Sequence, residues 1–348
     1  MPERIYVKLV LVPVLLVAAM LWLPDAASAR AKTDLVFIGK ADRITGEIKQ
    51  LDRGILTLST NNIGTVNIEW EDVDSLNSVY LFRVEDRFGR KYFGSLFMSR
   101  AGAIEVIHAN QTETVAALDV VSITPLEAGF WQRIDGSIAI GFSYTKATTI
   151  AQLNSDFNVR YRTPLRQVIL DASNIATSQE GEDTKHREDL SLTYNRLFKG
   201  RWFATLAAGA QTNDELGLDL RASLAPGVGL DLIQTNHNTM TATAGLSGNR
   251  EWSVNSDGEY NLEAFFGLEN STFRYDYPKT DITIDATLYP SLTTSGRLRS
   301  EVDISASREI VKDLTIVLSF YHSYDNKPLD PDAQKTDYGI VTSVGWTF

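Results

Sequence analysis

The chain has no cysteine among its 348 residues and only four histidines. The absence of cysteine excludes a disulfide-stapled scaffold, a thiol nucleophile, thiolate zinc sites and iron–sulfur clusters. The histidines are His108, His186, His237 and His322, and they are too scattered to predict an imidazole-rich metal site. We therefore expect neither a metal nor another cofactor.

Basic residues are outnumbered as well, with 33 Lys and Arg against 44 Asp and Glu and a net charge of −11. Binding to nucleic acid uses a basic face that displaces counterions from phosphates, so the composition argues against a nucleic-acid partner. The length suits two domains, or one domain with an appendage. The mean hydropathy is close to zero, as in ordinary soluble proteins, but an average says nothing about how apolar residues are arranged.

The amino terminus has the pattern of a secretory signal peptide. Arg4 and Lys8 precede an apolar run from Leu9 to Leu23, and a small-x-small site follows at Ala27-Ser28-Ala29. This apolar run is shorter than a transmembrane helix usually needs. We predict a signal peptide over residues 1–29, with an uncleaved anchor as the alternative. No later stretch approaches the length of apolar sequence that a helical span needs, so none is expected.

Residues 34–125 contain two copies of one pattern. Gly46 and Gly54 of the first copy match Gly94 and Gly102 of the second at an offset of 48, and near the end of each copy the offset is 47. Short alternating runs are separated by turns that contain Gly or Asn, which is typical of β-strands. We predict about five short strands in each copy.

Such five-stranded units resemble the small SH3-like and Sm-like barrels, which implies a tandem of small β-barrels over residues 34–125. Sm relatives bind RNA, but this segment carries nine basic and thirteen acidic residues, which argues against RNA. We favour a spacer or docking module that uses its fold and not a pocket. A protein or a component of the cell wall is the partner expected for such a module.

From residue 130 to residue 348 the sequence alternates with a period of two, apolar on one parity and small or polar on the other. A helix would place these apolar residues on opposite sides, so the alternation predicts strands. Short turns follow the second, fourth, eighth and tenth predicted strands. Longer polar loops follow the third, seventh and eleventh, at Gln179–His186, Asn249–Asp257 and Asn326–Lys335. Twelve strands are predicted, beginning near Trp131, Ala151, Gln167, Arg187, Arg201, Leu218, Asn238, Gly258, Asp281, Gly296, Asp313 and Thr336.

Alternation alone also fits a secreted β-sandwich. Strand length, aromatic residues near the strand ends, and short turns on one rim with long loops on the other favour an outer-membrane barrel instead. The predicted fold class is therefore all-β, with an antiparallel transmembrane β-barrel of about 12 strands over residues 130–348, preceded by the small barrels in the periplasm. The last strand looks like the signal that the outer-membrane assembly machinery reads, carried by Tyr338, Ile340, Val344, Trp346 and Phe348.

The same region resembles the salt-induced outer-membrane proteins, a Gram-negative β-barrel family whose domain has no established function. The resemblance rests on Tyr324-Asp325-Asn326-Lys327-Pro328, on Gln334-Lys335-Thr336-Asp337 and on the alternating last strand. The repeat over residues 34–125 is similar to the N-terminal extension of some members. The resemblance implies an outer-membrane location, with lipids and the assembly machinery as partners, and it carries no catalytic residues.

An outer-membrane lipid hydrolase is the enzyme alternative, because outer-membrane phospholipases also have twelve strands. Such an enzyme needs a serine two residues from a histidine, so that both side chains emerge on one face. His322 and Ser323 are adjacent, and His186 and His237 have no serine at that spacing. We therefore predict that the protein is not an enzyme. Some acidic loop residues could attract calcium, but ordinary solvated loops explain the same residues and are the favoured interpretation. These residues are Glu180, Glu182, Asp183, Asp325, Asp330, Asp332 and Asp337.

Charged residues of inward parity are the candidate functional residues of the barrel. They predict either a narrow charged pore or an ion-pair network that fills the interior, and with twelve strands we favour a filled or very narrow interior. The sequence thus predicts a protein of envelope integrity, stress adaptation or narrow conduction, and the alternative is a membrane-anchored interaction module. The candidate charges are Asp156, Arg160, Arg162, Glu263, Glu269, Asp285 and Asp303.

Overall fold

The structure is a computed structural model of the chain. It describes residues 31–39, 42–99, 102–109, 111–126, 133–145, 150–179, 181, 183–198, 200–253, 256–311, 314–328 and 333–346. The predicted signal peptide and Phe348 lie outside these residues. The described residues form an all-β protein of two sheets with two short 3-10 turns. Among them, no helix has the length and apolar character needed to cross a bilayer.

The first sheet has nine strands and closes into a small barrel. Its strand order is β4-β3-β2-β1-β5-β6-β7-β8, and β9 closes it by pairing with β2 and β5. The strands are β1 (Asp34–Ile38), β2 (Asp42–Asp52), β3 (Ile55–Ser59), β4 (Thr65–Glu69), β5 (Val73–Asp86), β6 (Lys91–Ser99), β7 (Ala103–His108), β8 (Gln111–Ala116) and β9 (Val120–Pro125).

The sequence repeat is also a repeat of strand pairing. Val36 in β1 lies opposite Ile44 and Leu76, and Val84 in β5, which is 48 positions later, lies opposite the equivalent residues of the second copy. The long strand β5 is therefore the last strand of the first copy and the first strand of the second. Residues of both copies pack into a single apolar cluster, so the two copies share one core. The predicted tandem of small barrels is therefore corrected to one closed small barrel, because β5 belongs to both copies.

Two pairs of glycines explain the offset of 48. A Cβ on Gly46 would lie 2.7 Å from the carbonyl oxygen of Ser59, and one on Gly94 would lie 2.4 Å from that of Ile107. Gly54 and Gly102 have φ values of 74° and 71°, where glycine avoids the steric penalty of other residues. The first pair allows close strand contact and the second pair forms tight turns.

The second sheet has twelve antiparallel strands, each paired with the next along the chain. Their first residues lie within three positions of the predicted ones. The strands are β10 (Ile134–Thr145), β11 (Ile150–Arg162), β12 (Arg166–Gln179), β13 (Lys185–Leu197), β14 (Trp202–Asn213), β15 (Leu218–Gln234), β16 (Asn238–Ser253), β17 (Ser256–Arg274), β18 (Thr280–Pro290), β19 (Leu298–Val311), β20 (Leu314–Asp325) and β21 (Thr336–Trp346).

The register places the two parities on opposite faces throughout the second sheet. Ile138 pairs with Phe157 on one face, whereas Asp285 pairs with Asp303 on the other. Two observations show that the polar face is the concave one. Side chains from β10 to β19 line one cavity, and Arg187 of β13 lies 3.8 Å from Asp337 of β21. The apolar face is convex and exposed.

The predicted closed barrel of about 12 strands is therefore confirmed only in part. The strand number, the antiparallel order and the alternation are as predicted, but the sheet is a large curled half-barrel. Among the described residues, β10 and β21 have no hydrogen-bonded ladder with each other and form its two edges.

The predicted loop at Asn249–Asp257 is wrong. The ladder between β16 and β17 continues through Asn249 and Glu251, which lie opposite Asn261 and Glu259. Both Asn249 and Glu251 are buried and bind charged partners on the concave face. Polar residues at the end of this hairpin resemble a loop in the sequence because their partners lie on other strands.

We predict that Gly94→Ala destabilises the small barrel by about 1–3 kcal/mol, because the added methyl group overlaps the Ile107 backbone. Hydrogen exchange of the β6–β7 hairpin should become faster. Gly248→Ala is the matched control, since its Cβ would meet nothing within 4 Å. Equal exchange rates in the two variants would contradict the close approach.

Candidate functional site

The small barrel docks on one rim of the curled sheet. This rim, called here the short-turn rim, includes four connections whose described residues are 163–165, 198, 200–201, 235–237 and 275–279. Each of the first three connections accepts or donates hydrogen bonds to the small barrel. The interface between the small barrel and this rim is the most extensive candidate functional site of the described residues.

The turn between β2 and β3 reaches furthest into the sheet. We call its residues Asp52, Arg53 and Gly54 the hairpin tip. Asp52 pairs with Ile55 across a two-residue turn, and φ is 48° at Arg53 and 74° at Gly54. Two positive φ values in a two-residue connection indicate a type I′ turn, which matches the twist of the flanking strands. The hairpin tip is therefore narrow and rigid.

The two charges of the hairpin tip meet opposite charges on the concave face. The carboxylate of Asp52 lies 3.7 Å from a guanidinium nitrogen of Arg160 and 3.5 Å from one of Arg162. Arg53 lies 2.6 Å from the carboxylate of Asp281 and stacks over the ring of Phe273 at 4.4 Å from its centroid. Two of the predicted inward charges, Arg160 and Arg162, are thus bound by the small barrel.

Backbone carbonyls of the rim accept hydrogen bonds from buried or half-buried cations of the second copy. Arg83, whose side chain is fully buried, donates to the carbonyl oxygen of Pro164. Lys91 donates to the carbonyl oxygens of Phe198 and Gly200. Burial lowers the pKa of Arg83 to about 10, and the nearby Arg162 acts in the same direction. Leu35 stands at the equivalent position of the first copy, so this charge belongs to the docking surface and not to the repeat.

The connection at residues 235–237 contacts both copies. The Asn236 side-chain amide donates to the carbonyl oxygen of Val120 at 3.1 Å, and the His237 Nε2 lies 2.8 Å from a carboxylate oxygen of Glu71. Nearby, burial raises the pKa of Glu69, and the carboxylate of Asp276 on the rim raises it further. This side of the interface is the more acidic one.

A second set of charges crosses the concave face near the opposite rim. Glu251 accepts hydrogen bonds from Arg221 at 2.9 Å and Arg297 at 2.7 Å, and Arg297 also binds Asp325. Arg299 binds both carboxylate oxygens of Glu263, at 2.9 and 2.8 Å. All of these side chains are buried. We call this set the arginine–carboxylate network: Arg221, Glu251, Glu263, Arg297, Arg299 and Asp325.

A cavity of about 520 Å³ lies on the concave face between β10 and β19. Its lining includes Asp156, Asp189, Arg221, Arg299 and Glu301, with many Ser, Thr, Ala and Gly residues. The arginine–carboxylate network thus reaches the wall of this cavity through Arg221 and Arg299.

The structure places all seven candidate charges on the concave face. Arg160 and Arg162 meet the hairpin tip, Glu263 belongs to the network, and Asp156 lines the cavity. The remaining three, Glu269, Asp285 and Asp303, lie directly opposite one another across β17, β18 and β19. They form an acidic row, which would attract cations.

The structure gives no support to the calcium alternative at two of its residues. Asp325 binds Arg297, and Asp337 lies near Arg187 and accepts a hydrogen bond from Asn213. Asp330, Asp332, Glu180 and Glu182 lie outside the described residues. Within the described part of the chain, no three His, Cys, Asp or Glu residues are grouped to hold a metal ion.

The adjacent pair His322 and Ser323 faces in opposite directions, as the spacing predicts. His322 lies opposite Val302 on the convex face, and Ser323 lies opposite Glu301 on the concave face. On β21, Tyr338, Ile340 and Val344 of the predicted assembly signal are exposed on the convex face. The role of these residues in assembly stays a prediction.

Sequence analysis missed the hairpin tip and most of the arginine–carboxylate network. The parity of Arg221 and Arg299 is inward, so the alternation could have identified both as concave-face residues. The pairing of Arg53 with Asp281 joins residues 228 positions apart, and neither strand pattern predicts it.

The model of a family described as "Protein of unknown function, DUF481" matches residues 138–348. The match covers nearly all of the twelve-strand sheet and leaves out the small barrel. No curated protein and no solved structure matches the chain at a significant level. The predicted resemblance to a family without an established function is thereby confirmed for the sheet, whereas the salt-induced description and the Gram-negative source stay predictions.

We predict that Arg53→Ala weakens docking of the small barrel by about 1 kcal/mol, because it removes a half-exposed ion pair and a cation–π contact. Hydrogen exchange of residues 275–279 and of the β2–β3 hairpin should become faster. Arg43→Ala, at an exposed position of β2, is the control and should leave both segments unchanged. The same exchange in both variants would mean that the hairpin tip does not hold the interface.

Proposed function

The chain belongs to the DUF481 family of proteins of unknown function, and we propose that it is an integral outer-membrane β-barrel protein without catalytic activity. In this proposal the twelve-strand sheet crosses the bilayer and the small barrel closes its periplasmic end. The protein would serve the integrity or stress adaptation of the envelope as a closed structural element.

The exposed apolar face of the sheet carries the proposal. Large apolar side chains point outward from strands along the whole sheet and are exposed, although monomeric soluble proteins rarely expose apolar patches beyond a few hundred Å². A hydrocarbon environment would bury such a face, and paired strands leave few backbone groups unsatisfied there. Examples are Ile138, Ile140, Phe142, Leu206, Phe266, Leu288, Leu318 and Ile340.

The position of the small barrel supports the orientation. Outer-membrane barrels have short turns on the periplasmic side and longer loops outside. The small barrel binds the short-turn rim, where β10 also begins, with Ile134 opposite Tyr161. If the small barrel stays in the periplasm, both its contact with the short-turn rim and the start of β10 at that rim are explained.

The charges at the two ends of the concave face favour a closed interior. The hairpin tip binds Arg160, Arg162 and Asp281 at one end, and the arginine–carboxylate network crosses the face near the other. The buried charge pairs of the network are costly to separate, and the half-exposed pairs of the hairpin tip add contacts at the other end. We therefore propose a structural role ahead of open conduction.

Narrow conduction is the second candidate, and the cavity together with the acidic row favours it. A channel along this face would pass Glu269, Asp285 and Asp303 and would prefer cations. The small barrel would then act as the gate, because the hairpin tip stands at one end of the path.

We predict that the purified protein migrates differently on a gel before and after boiling, because folded membrane barrels resist detergent until heated. Carbonate should leave the protein in the membrane fraction. Release of the full chain by carbonate or by salt would contradict membrane insertion.

We predict that the unmodified protein is silent in a planar bilayer, because charge pairs close both ends of the concave face. Narrow conduction predicts instead that the double variant Asp52→Ala/Arg53→Ala gives discrete currents that prefer cations. The substitutions remove the charges that hold the hairpin tip on the concave face. Discrete currents from the unmodified protein would support conduction over the closed structural role. Silence of both proteins would contradict narrow conduction and leave a closed barrel, either as a structural element or as the anchor of an interaction module.

A further inference from the structure

The turn between β5 and β6 rests directly on the turn between β13 and β14. Gly89 lies so close that a Cβ there would be 2.8 Å from the Cγ of Arg201. A guanidinium nitrogen of Arg201 donates to the carbonyl oxygen of Arg87 at 2.6 Å. The two turns therefore form one continuous surface at the short-turn rim.

This surface exposes three aromatic rings. Phe88, within the β5–β6 turn, is 51% exposed, and Phe198 and Trp202, which flank the neighbouring turn, are 44% and 53% exposed. We call these three residues the aromatic collar. Trp202 lies on the convex side of the sheet, opposite Leu230, and Leu206 follows it on the same face and is also exposed. The aromatic collar is thus continuous with the apolar convex face.

A buried carboxylate holds the β5–β6 turn in place. One oxygen of Asp86 accepts hydrogen bonds from the backbone N–H groups of Phe88 at 2.9 Å and Arg90 at 3.0 Å. The other oxygen accepts from the Arg90 side chain at 2.6 Å and from the Tyr92 hydroxyl at 3.1 Å. Ile38 stands at the equivalent position of the first copy. The carboxylate that fixes this turn is therefore present only in the second copy, which faces this part of the rim.

The cations beside Phe88 already have partners. Arg90 is paired with Asp86, and Arg87 lies 3.0 Å from Asp119. Both guanidinium groups also stack on the Phe88 ring, at 5.0 and 5.2 Å from its centroid. The turn can therefore bring its ring to a lipid surface without bringing an unpaired charge.

We propose that the aromatic collar lies in the interfacial layer of the bilayer and anchors the small barrel to the membrane. Trp202 favours this layer because its ring is apolar with one polar N–H group, and the two Phe rings bury apolar surface at the boundary between headgroups and acyl chains. The inference rests on the proposed membrane insertion of the sheet. It adds that the small barrel itself is a lipid-contacting part of the protein, held by aromatic rings in the interfacial layer.

The absence of cysteine allows single-cysteine probes in the full chain. Phe88→Cys, Leu206→Cys and Ile63→Cys are each labelled with an environment-sensitive fluorophore and reconstituted in phosphatidylcholine vesicles. Ile63 is the aqueous control, since it is exposed at the far end of β3 from the hairpin tip. Phe198→Cys is a second probe of the aromatic collar if the Phe88 variant folds poorly.

Lipids that carry a quencher near the headgroup should quench the label at position 88 and leave the label at position 63 unchanged. Lipids with a deep quencher should act most strongly on the label at position 206. Quenching at 206 with none at 88 and 198 would overturn the aromatic collar and leave membrane insertion standing. Quenching at none of these positions would overturn both. The label at position 88 could also be shielded from water by a second copy of the chain. Shielding that depends on protein concentration and not on lipid would show this and overturn the proposal.

Discussion

The pairing of charges on the concave face is the interaction on which the rest of the structure depends. A charge removed from water is costly unless an opposite charge and hydrogen bonds replace its solvation. Arg297 finds its partners on β16 and β20, which are four strands apart in the sheet, and Arg187 of β13 lies near Asp337 of β21. Strands so far apart in sheet order meet only if the sheet curls, so the charge pairs and the curvature require each other.

The convex face follows from the same alternation. Once the polar parity has turned inward, every strand presents its apolar parity outward, and no other described part of the chain covers it. The small barrel covers the rim instead, through cations that bind backbone carbonyls and through the hairpin tip that binds charges inside. Backbone carbonyl groups at the rim lie beyond the strand ladders and are free to accept hydrogen bonds. Arg83 and Lys91 of the second copy donate to them.

Much of this fold is predictable from local sequence. A period of two over eleven or more residues places side chains without knowledge of the partner strand, and the twelve strands and the inward candidates were found in this way. The glycine offsets predicted the repeat, because Gly46 and Gly94 are required by the same close strand contact. The pattern did not predict that the copies share β5, since a strand that ends one copy and begins the next has no break in its sequence.

The failures have one physical cause, which is pairing between distant residues. Asn249 and Glu251 looked like loop residues because their partners lie elsewhere in the sheet: Glu263 on β17, Arg221 on β15, and Arg297 directly before β19. Arg53 looked like an ordinary turn residue because Asp281 follows 228 positions later. Docking of the small barrel depends on such pairs, so neither half of the sequence predicts it alone.

The most direct test of the membrane barrel is a scan of spin labels along β14 in lipid vesicles, from position 203 to position 210. Each label is tested for collisions with oxygen, which concentrates in hydrocarbon, and with a water-soluble nickel chelate. The account predicts that even positions, which lie on the convex face, collide with oxygen and are protected from nickel, and that odd positions differ from them with a period of two. Equal access of nickel to even and odd positions would contradict a sheet that spans the bilayer.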